Sequence, residues 1–203
     1  MEIIQVGETE RWNNIIKSFQ NWDIYYLNEY AHSFQLHGDG IPILIYHEQN
    51  CGRLCYVMMQ EDISIFSPLA AYLESGQYYD WTTPYGYGGP LAEGELTGEW
   101  MRCFLAELCQ WCTEHKIVSQ FFRFHPLLQN QDIFEDVFDV IPMKKTVYVD
   151  TTTNETIFQN MTPNNRNMVR KAKKNGIEIK TDRGERIREF REIYEETIRN
   201  NGA

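Results

Sequence analysis

The fold prediction starts from residues 41–60, which run Ile-Pro-Ile-Leu-Ile-Tyr-His-Glu-Gln-Asn-Cys-Gly-Arg-Leu-Cys-Tyr-Val-Met-Met-Gln. Residues 41–47 and 53–60 are apolar and rich in the β-branched and aromatic side chains that favour strands. The segment between them, residues 48–52, is polar and ends in glycine, as the connection of a β-hairpin commonly does. The stretch therefore predicts two adjacent antiparallel strands.

Helices are predicted on both sides of this hairpin. Apolar residues recur at helical spacing in residues 9–19 and 97–115, and residues 27–37 form a further helix that Gly38 ends. Beyond them, strands are predicted at 117–124, 146–149 and 177–180, and helices at 155–161, within 162–176, and at 184–201. The alternation indicates a layered α/β (α+β) fold in which helices flank a mixed sheet.

The charge distribution divides the chain near residue 143. Residues 1–143 carry 6 Lys and Arg against 20 Asp and Glu, whereas residues 144–203 carry 13 against 9. Together with the Ile-Pro break at 141–142, this shift predicts a first domain over 1–143 and a second that begins at 144. About sixty residues are marginal for a core of their own, so we expect the second domain to be truncated in this chain.

The composition predicts a cytoplasmic protein. Its 203 residues are 42% hydrophobic, but there is neither an apolar run long enough for a transmembrane helix nor a recognisable signal peptide. The five cysteines are therefore expected to be reduced. Cys109 and Cys112 have the spacing of a metal or redox pair, but they lie inside a helical pattern where core packing explains them, and no metal site is predicted.

Residues 162–176 predict a short basic helix with both ends marked. Thr162 suits the N-cap, Pro163 suits the first turn, and Asn175-Gly176 suits the end. The cations on one side of the helix are Arg166, Arg170, Lys173 and Lys174, and the apolar residues opposite are Met168, Val169 and Ala172. In an otherwise acidic protein this arrangement predicts a local anion-binding surface. A solvated helix face is the alternative.

Residues 80–90, Asp-Trp-Thr-Thr-Pro-Tyr-Gly-Tyr-Gly-Gly-Pro, are rich in glycine and aromatic residues. The glycines let the backbone approach a ligand closely, and Tyr85 and Tyr87 supply aromatic faces and hydroxyls. The segment lacks the lysine and the glycine spacing of phosphate-binding loops. It predicts a binding loop, and an irregular connection packed by its own tyrosines is the alternative.

A second candidate site follows the strand predicted at 117–124. Alternation along the chain places Phe122 and Phe124 on one face and Arg123 and His125 on the other, just before Pro126. Polar groups at the end of a strand commonly lie at a cleft, which makes Arg123 and His125 candidate binding residues. A structural ion pair is the alternative for Arg123.

In combination, five segments resemble the FemAB/FemX-like proteins. They are Pro-Tyr-Gly-Tyr-Gly-Gly-Pro at 84–90, Phe-Arg-Phe-His-Pro-Leu at 122–127, Thr-Val-Tyr-Val-Asp at 146–150, Asn-Asn-Arg-Asn-Met-Val-Arg-Lys-Ala-Lys-Lys-Asn-Gly at 164–176, and Tyr-Glu-Glu-Thr-Ile-Arg at 194–199. These proteins are aminoacyltransferases of peptidoglycan interpeptide bridges and belong to the GNAT acyltransferase superfamily. The resemblance implies one GNAT-like domain over 1–143 and the beginning of a second over 144–203.

The resemblance also implies substrates and roles. The family transfers an amino acid from aminoacyl-tRNA to the stem peptide of a UDP-linked or lipid-linked muropeptide, without a bound cofactor. Arg166, Arg170 and Lys173 are then expected to face the diphosphate of this precursor or the tRNA backbone. Tyr194 of the last segment, with Tyr85 or Tyr87, is expected to line the precursor cleft. The resemblance identifies no catalytic residue here.

Two other functions stay open at this point. One is an acyl-CoA-dependent N-acyltransferase, with acetyl-CoA as donor and a surface polysaccharide as substrate, although the chain lacks the loop by which such enzymes hold the CoA pyrophosphate. The other is a non-catalytic module that binds RNA or an anionic glycan precursor. Because the second domain is incomplete, we do not expect catalysis by the 203-residue chain alone. The expected location is the cytoplasm, with a peripheral position at the inner membrane face as a variant.

Overall fold

The computed structural model describes residues 1–66 and 68–201. Its internal contacts separate the chain into two compact units, Met1–Lys144 and Lys145–Ala203. All six strands lie in the first unit. The fold class predicted from the sequence is confirmed, because the structure combines a mixed sheet with six α-helices.

The first unit is built on one six-stranded sheet. Its strands are β1 (Glu2–Gln5), β2 (Ile41–Gln49), β3 (Gly52–Asp62), β4 (Tyr79–Thr82), β5 (Leu91–Gly94) and β6 (Ile117–Phe121). Their order is β1-β2-β3-β4-β6, and β5 pairs with β3 as well. Among the strands of the described residues, β4 and β6 alone pair in parallel, so the sheet is mixed.

The predicted hairpin forms the centre of this sheet. β2 and β3 pair along their whole length, from Ile41 opposite Gln60 to Gln49 opposite Gly52. One face of the pair contributes Leu44, Cys55, Val57 and Met59 to the core, and the other contributes Ile43, Ile45, Leu54, Tyr56 and Met58. The near-continuous apolar sequence is therefore explained by burial on both faces of the sheet.

Helices cover both faces of the sheet. They are α1 (Thr9–Ser18) and α2 (Asn28–His37) on one face and α3 (Gly98–Glu114) on the other. All three were predicted, and their boundaries agree within one residue. Thr97 accepts a hydrogen bond from the backbone N–H of Trp100 and caps α3. Gly38 ends α2 in the left-handed region, with φ of 104°.

One edge of β3 is shared by two short strands, and this arrangement positions the candidate site. Residues 59–62 pair with β4, whereas residues 52–55 pair with β5. The glycine-rich segment 83–90 connects these two strands, so both of its ends are held by β3. β4 and β5, like β1, contain only four residues each and were not predicted.

The prediction of β6 was too long. Regular pairing ends at Phe121 rather than residue 124, and beyond it only Phe124 forms an isolated parallel bridge, with Gly88. The backbone N–H of Arg123 instead donates to the hydroxyl of Thr83. The chain leaves the sheet where a side chain replaces the neighbouring strand as hydrogen-bond acceptor.

The described part of the second unit, residues 145–201, consists of helices and irregular segments. The helices are α4 (Asn154–Asn160), α5 (Pro163–Lys174) and α6 (Ile187–Asn200), all of them predicted. The strands predicted at 146–149 and 177–180 were wrong, and Val147 and Ile179 are 89% and 96% exposed. A strand forms only where a neighbouring strand pairs with it, and both segments are irregular in the structure.

Candidate functional site

The glycine-rich segment 83–90 packs on the first turn of α2 and the residues just before it. Gly86 has φ of 101°, and a Cβ atom there would lie 2.6 Å from Cε1 of Tyr25. The hydroxyl of Tyr30 donates to the carbonyl oxygen of Tyr85 at 2.9 Å. Glycine is therefore required at position 86 both for its backbone conformation and for the close approach of Tyr25.

Tyr25 is the centre of a cluster of aromatic rings that includes both tyrosines of the segment. Its ring meets Tyr30, Tyr87 and His125 edge to face, with centroid distances of 5.2, 5.8 and 6.0 Å. The ring of Tyr85 is tilted against Phe34 at 6.3 Å and is 75% exposed. The structure thus brings Tyr85, Tyr87 and His125 together on one surface of the first unit, and its rings offer faces to an apolar or sugar-like ligand.

His125 is held in one tautomer. Its Nδ1 atom accepts hydrogen bonds from the backbone N–H groups of Leu127 and Leu128 at 3.2 and 3.3 Å. The proton must therefore be on Nε2, which donates to Oδ2 of Asp23 at 2.7 Å. Oδ1 of Asp23 accepts from the backbone N–H of Tyr25 at 2.8 Å. Both ring nitrogens of His125 are engaged, and the Asp23 carboxylate is fixed while part of it stays in contact with solvent.

Asn130 connects this pair to the glycine-rich segment. Its Oδ1 atom accepts from the backbone N–H of His125 at 3.0 Å. Its Nδ2 atom lies within hydrogen-bonding distance of the carbonyl oxygens of Gly88 and Pro90 and of the hydroxyl of Tyr26, at 2.9, 3.1 and 3.2 Å. Tyr26 is fully buried, and burial raises the pKa of its hydroxyl, which stays protonated and donates to Gly88.

Arg123 makes polar contacts with the strand beside it. Its Nη1 atom donates to the carbonyl oxygen of Thr83 at 3.2 Å and to the hydroxyl of Thr82 at 3.3 Å. Its guanidinium carbon lies 5.2 Å from the ring centre of Phe121. Within residues 1–66 and 68–201 it forms no ion pair, so its charge remains available to an anion.

The basic helix α5 has the predicted ends. The hydroxyl of Thr162 accepts from the backbone N–H of Asn165, and Pro163 occupies the first turn. Gly176 follows the C-cap Asn175 with φ of 70°. Met168 is 60% exposed, so the side of α5 opposite the cations is not buried in a core within the described residues.

The arginines of α5 contact α4. Arg166 Nη1 donates to the carbonyl oxygens of Gln159 and Met161, at 3.0 and 2.6 Å, and so satisfies acceptors at the C-terminal end of α4. The guanidinium carbon of Arg170 lies 5.4 Å from the ring centre of Phe158. These contacts hold both side chains in place on one side of the two helices.

The lysines of α5 are exposed at its C-terminal end. Lys171, Lys173 and Lys174 make no side-chain hydrogen bond or ion pair with any residue that the structure describes. Lys173 and Lys174 share the side of α5 that carries Arg170, and Lys171 adds a further positive charge on another side. The negative end of the helix dipole stabilises these charges in part. Tyr194 lies on α6, where its ring stacks on Phe190 at 5.9 Å and stays 55% exposed.

The Cys109–Cys112 pair lies within α3, as the helical pattern indicated. Burial raises the pKa of the Cys112 thiol to about 11, and Gln120 donates to its sulfur at 3.5 Å. The thiol is therefore protonated at neutral pH and is a poor nucleophile and metal ligand. No group of three or more His, Cys, Asp or Glu side chains suited to a metal ion occurs among the residues that the structure describes.

The sequence did not indicate Asp23, Tyr25, Tyr30 or Asn130 as site residues. These residues come from the segment before α2, from α2 itself and from the turn after β6, which only the folded sheet brings to segment 83–90. A weak signal was present at Asp23, which precedes a short helical turn and suits its N-cap. Nothing local to the chain marks the other three.

These observations define an α/β protein with an aromatic, glycine-rich loop in its first unit and a capped basic helix in its second. Residues 139–202 match the model of the FemAB family. The match includes α4, α5 and α6, and it covers about a third of the chain. The chain is thus FemAB-like over this segment, which confirms the resemblance found in the sequence.

No curated protein and no solved structure matches the chain. Among the described helices, none has the length and apolar character required to cross a membrane.

Proposed function

We propose that this chain serves in aminoacyl transfer of the Fem type, in which an amino acid passes from aminoacyl-tRNA to the stem peptide of a cell-wall precursor. The reaction takes place in the cytoplasm, on a UDP-linked or a lipid-linked muropeptide. We further propose that both units are GNAT-like, the first over 1–143 and the second over 144–203. The chain contributes the binding surfaces of both units to the reaction.

One observation carries the proposal: the segment that matches the FemAB model contains the exposed lysines of α5. The diphosphate of a nucleotide-linked precursor and the backbone of tRNA are both polyanions, and Lys171, Lys173 and Lys174 supply three unpaired positive charges. Arg170, held over Phe158, adds a guanidinium that can bind two phosphate oxygens at once. We expect Arg166 mainly to hold α5 against the end of α4, with its remaining donors facing the same anion.

The first unit, considered by itself, is proposed to offer a separate surface to such a precursor. Tyr85 and Tyr87 offer aromatic faces to its sugar or peptide, and Arg123 offers an unpaired charge to its carboxylates. His125 is assigned a positioning role, because both of its ring nitrogens are already engaged and neither can accept a proton from the substrate. Tyr194 of α6 is a further candidate for the precursor.

Aminoacyl transfer of this kind needs no covalent intermediate with the protein. The acceptor amine attacks the ester carbonyl of the aminoacyl-tRNA, the new amide bond forms, and the ribose hydroxyl of the tRNA leaves with a proton. Holding the amine and the ester in contact provides much of the rate enhancement. A protein that supplies anion-binding and stacking surfaces is suited to this task.

A panel of ligands tests the class of substrate. The chain is titrated in a calorimeter with UDP-linked muropeptide, with aminoacyl-tRNA and with acetyl-CoA. We expect binding of the muropeptide and the tRNA, and none of acetyl-CoA at the same concentration. Binding of acetyl-CoA alone would contradict the proposal and favour an acyl-CoA-dependent transferase. Binding of tRNA without the muropeptide would contradict the assigned acceptor and favour an RNA-binding module.

A further inference from the structure

Two carboxylates face each other at the end of the sheet away from the β2–β3 turn. Glu61 of β3 lies directly opposite Asp80 of β4 in the antiparallel register. Both side chains are half-buried, and burial raises the pKa of each carboxyl. Asp80 and Asp39 raise the pKa of Glu61 further, and only Arg123 acts in the opposite direction. Like charges placed directly opposite each other destabilise a strand pair.

Neither carboxylate forms a close ion pair in the part of the chain that the structure describes, and Arg123 is the cation that acts on Glu61 from further away. No ion pair there includes Glu61 or Asp80. The surrounding sequence cannot supply one locally, because residues 54–101 contain no lysine or arginine. The side chain of Glu61 also packs on Gly40, where a Cβ atom would lie 2.7 Å from its Cγ. This contact limits the directions in which Glu61 can turn towards solvent.

An apolar groove begins at these carboxylates. The cavity has a volume of about 360 Å³, and the apolar side chains in its wall are Ile63, Ile65, Phe66 and Leu69. Phe66 is 62% exposed and Leu69 is 37% exposed, so the groove is open to solvent along one side. Its volume is sufficient for one long side chain and too small for a second folded element.

The third carboxylate in the groove has a different role. Asp62 accepts hydrogen bonds from the backbone N–H groups of Ser64 and Gly76 and from the hydroxyl of Ser75. These bonds lower the pKa of Asp62 to about 2, so it stays ionised and holds the two ends of the loop together. Its oxygens accept three hydrogen bonds from the chain, whereas the carboxylate of Asp80 interacts with its own backbone N–H.

We propose that this groove binds the side chain of a lysine in a peptide, with the four methylene groups on the apolar wall and the ammonium between Glu61 and Asp80. Charge complementarity selects this occupant, because the groove offers at one end two carboxylates that form no ion pair among the described residues, and hydrocarbon along its length. A hydrated metal ion would leave the apolar wall without a partner, and a neutral side chain would leave the carboxylates unpaired. The site goes beyond the proposed function and does not depend on it, because neither Glu61 nor Asp80 belongs to the surfaces assigned above.

The binding energy has two sources, a short-range apolar contribution and a longer-range electrostatic one. Burial of the lysine methylenes contributes roughly 25 cal/mol per Å² of apolar surface removed from water. The ammonium forms charge-assisted hydrogen bonds and relieves the repulsion between the two carboxylates. Salt and the loss of either carboxylate should therefore weaken the binding of lysine. A change of the apolar wall should weaken the binding of lysine and of its uncharged analogue equally.

Three peptides of one length test the site by NMR titration of the complete chain. They are acetyl-Ala-Lys-Ala-amide, the same peptide with norleucine, and the same peptide with Nε-acetyl-lysine. We expect the lysine peptide to bind at least tenfold more tightly than either analogue. The variant E61Q/D80N should bind the lysine peptide as weakly as the norleucine peptide, and Leu69→Ala should weaken both peptides by the same factor.

The unfolding temperature of E61Q/D80N provides the control for folding. Since the amides remove a repulsion, its midpoint should equal or exceed that of the unmodified chain, with one cooperative transition. Equal affinity for the lysine and norleucine peptides would overturn the proposal. So would unchanged lysine binding by E61Q/D80N, or displacement of the lysine peptide by Ca²⁺ at stoichiometric concentration.

Discussion

Nε2 of His125 donates a hydrogen bond to Oδ2 of Asp23 at 2.7 Å, across a separation of 102 residues in the chain. This bond joins the turn after β6 to the segment that precedes α2. The rings of Tyr25 and Tyr87 pack against the same histidine, at 6.0 and 5.9 Å. The position of the aromatic loop is therefore coupled to one charge-assisted hydrogen bond.

Removal of this bond should destabilise the first unit. In Asp23→Ala, the Nε2–H group of a largely buried imidazole loses its acceptor, and we expect the free energy of unfolding to fall by about 1–3 kcal/mol. Urea unfolding measures this change. Asp136→Ala is the matched control, because Asp136 is exposed and should tolerate the substitution with little effect. A loss no larger than that of the control would refute the assigned bond.

The same hydrogen bonds also predict the tautomer of His125. Long-range ¹H–¹⁵N correlation spectra of the imidazoles should show the Nε2-protonated form at neutral pH, because two backbone N–H groups already occupy Nδ1. In Asp23→Ala the same tautomer should persist, since the bonds to Nδ1 remain. A signal from the Nδ1-protonated form would contradict the geometry.

Asn130 should be the most sensitive amide side chain of the site. Substitution by alanine removes the acceptor of the His125 N–H and the donor to Gly88 and Pro90, all of them buried. We expect a loss of about 2–4 kcal/mol in the free energy of unfolding, since buried partners remain unsatisfied. Asn14→Ala on the exposed side of α1 is the control and should be close to neutral. Equal stability of the two variants would show that the Asn130 network does not hold the loop.

The sequence was sufficient to predict the elements whose signals lie within their own residues. The β2–β3 hairpin and the helices α1, α2 and α3 carry their own signals in strand propensity, helical spacing and caps, and the structure places them within a few residues. The four-residue strands β1, β4 and β5 have too few residues to show a pattern, and pairing with β2 or β3 alone makes them strands. The reverse error occurred at 146–149, where the strand propensity is high but the structure forms no strand.

The site was predictable only in part for the same reason. Tyr85, Tyr87 and His125 were predicted as site residues from the sequence immediately around each of them. The structure brings them into one cluster. Asp23 and Asn130 complete that cluster through long-range contacts that no local pattern reports. The roles of all these residues in binding a substrate remain predictions, as do those of Arg123, Arg166, Arg170, Lys173 and Tyr194.

His47 should make stability dependent on pH. Its side chain is 4% exposed between Trp100 and Phe104, and neither ring nitrogen has a hydrogen-bond partner among the described residues. Burial lowers the pKa of His47, aided by the N-terminal ammonium, while Glu107 at 3.5 Å from Nδ1 and the interaction with Gln49 act in the opposite direction. The folded state therefore prefers the neutral ring.

This preference determines the direction in which stability changes with pH. The unfolded chain binds a proton near pH 6.5, and the folded chain binds it only at lower pH. The stabilisation is complete above about pH 6.5 and is lost as pH falls towards the lowered pKa. Urea unfolding measures the free energy of unfolding at pH 7.5 and at pH 5.5. This free energy should decrease less between the two pH values for His47→Leu than for the unmodified chain. His32→Leu, at an exposed position, should keep the original decrease, and an identical decrease in all three proteins would contradict the assignment.

The central claim is that the exposed lysines of α5 bind the phosphates of the substrate, and its most direct test is a calorimetric titration with UDP-linked muropeptide. The variant K171A/K173A/K174A is compared with the control K17A/K144A/K180A, which removes the same charge from exposed lysines elsewhere. We predict that the α5 variant loses at least tenfold in affinity and has a shallower salt dependence, while the control stays within about twofold of the unmodified chain. Equal affinities and equal salt slopes for the two variants would contradict the account.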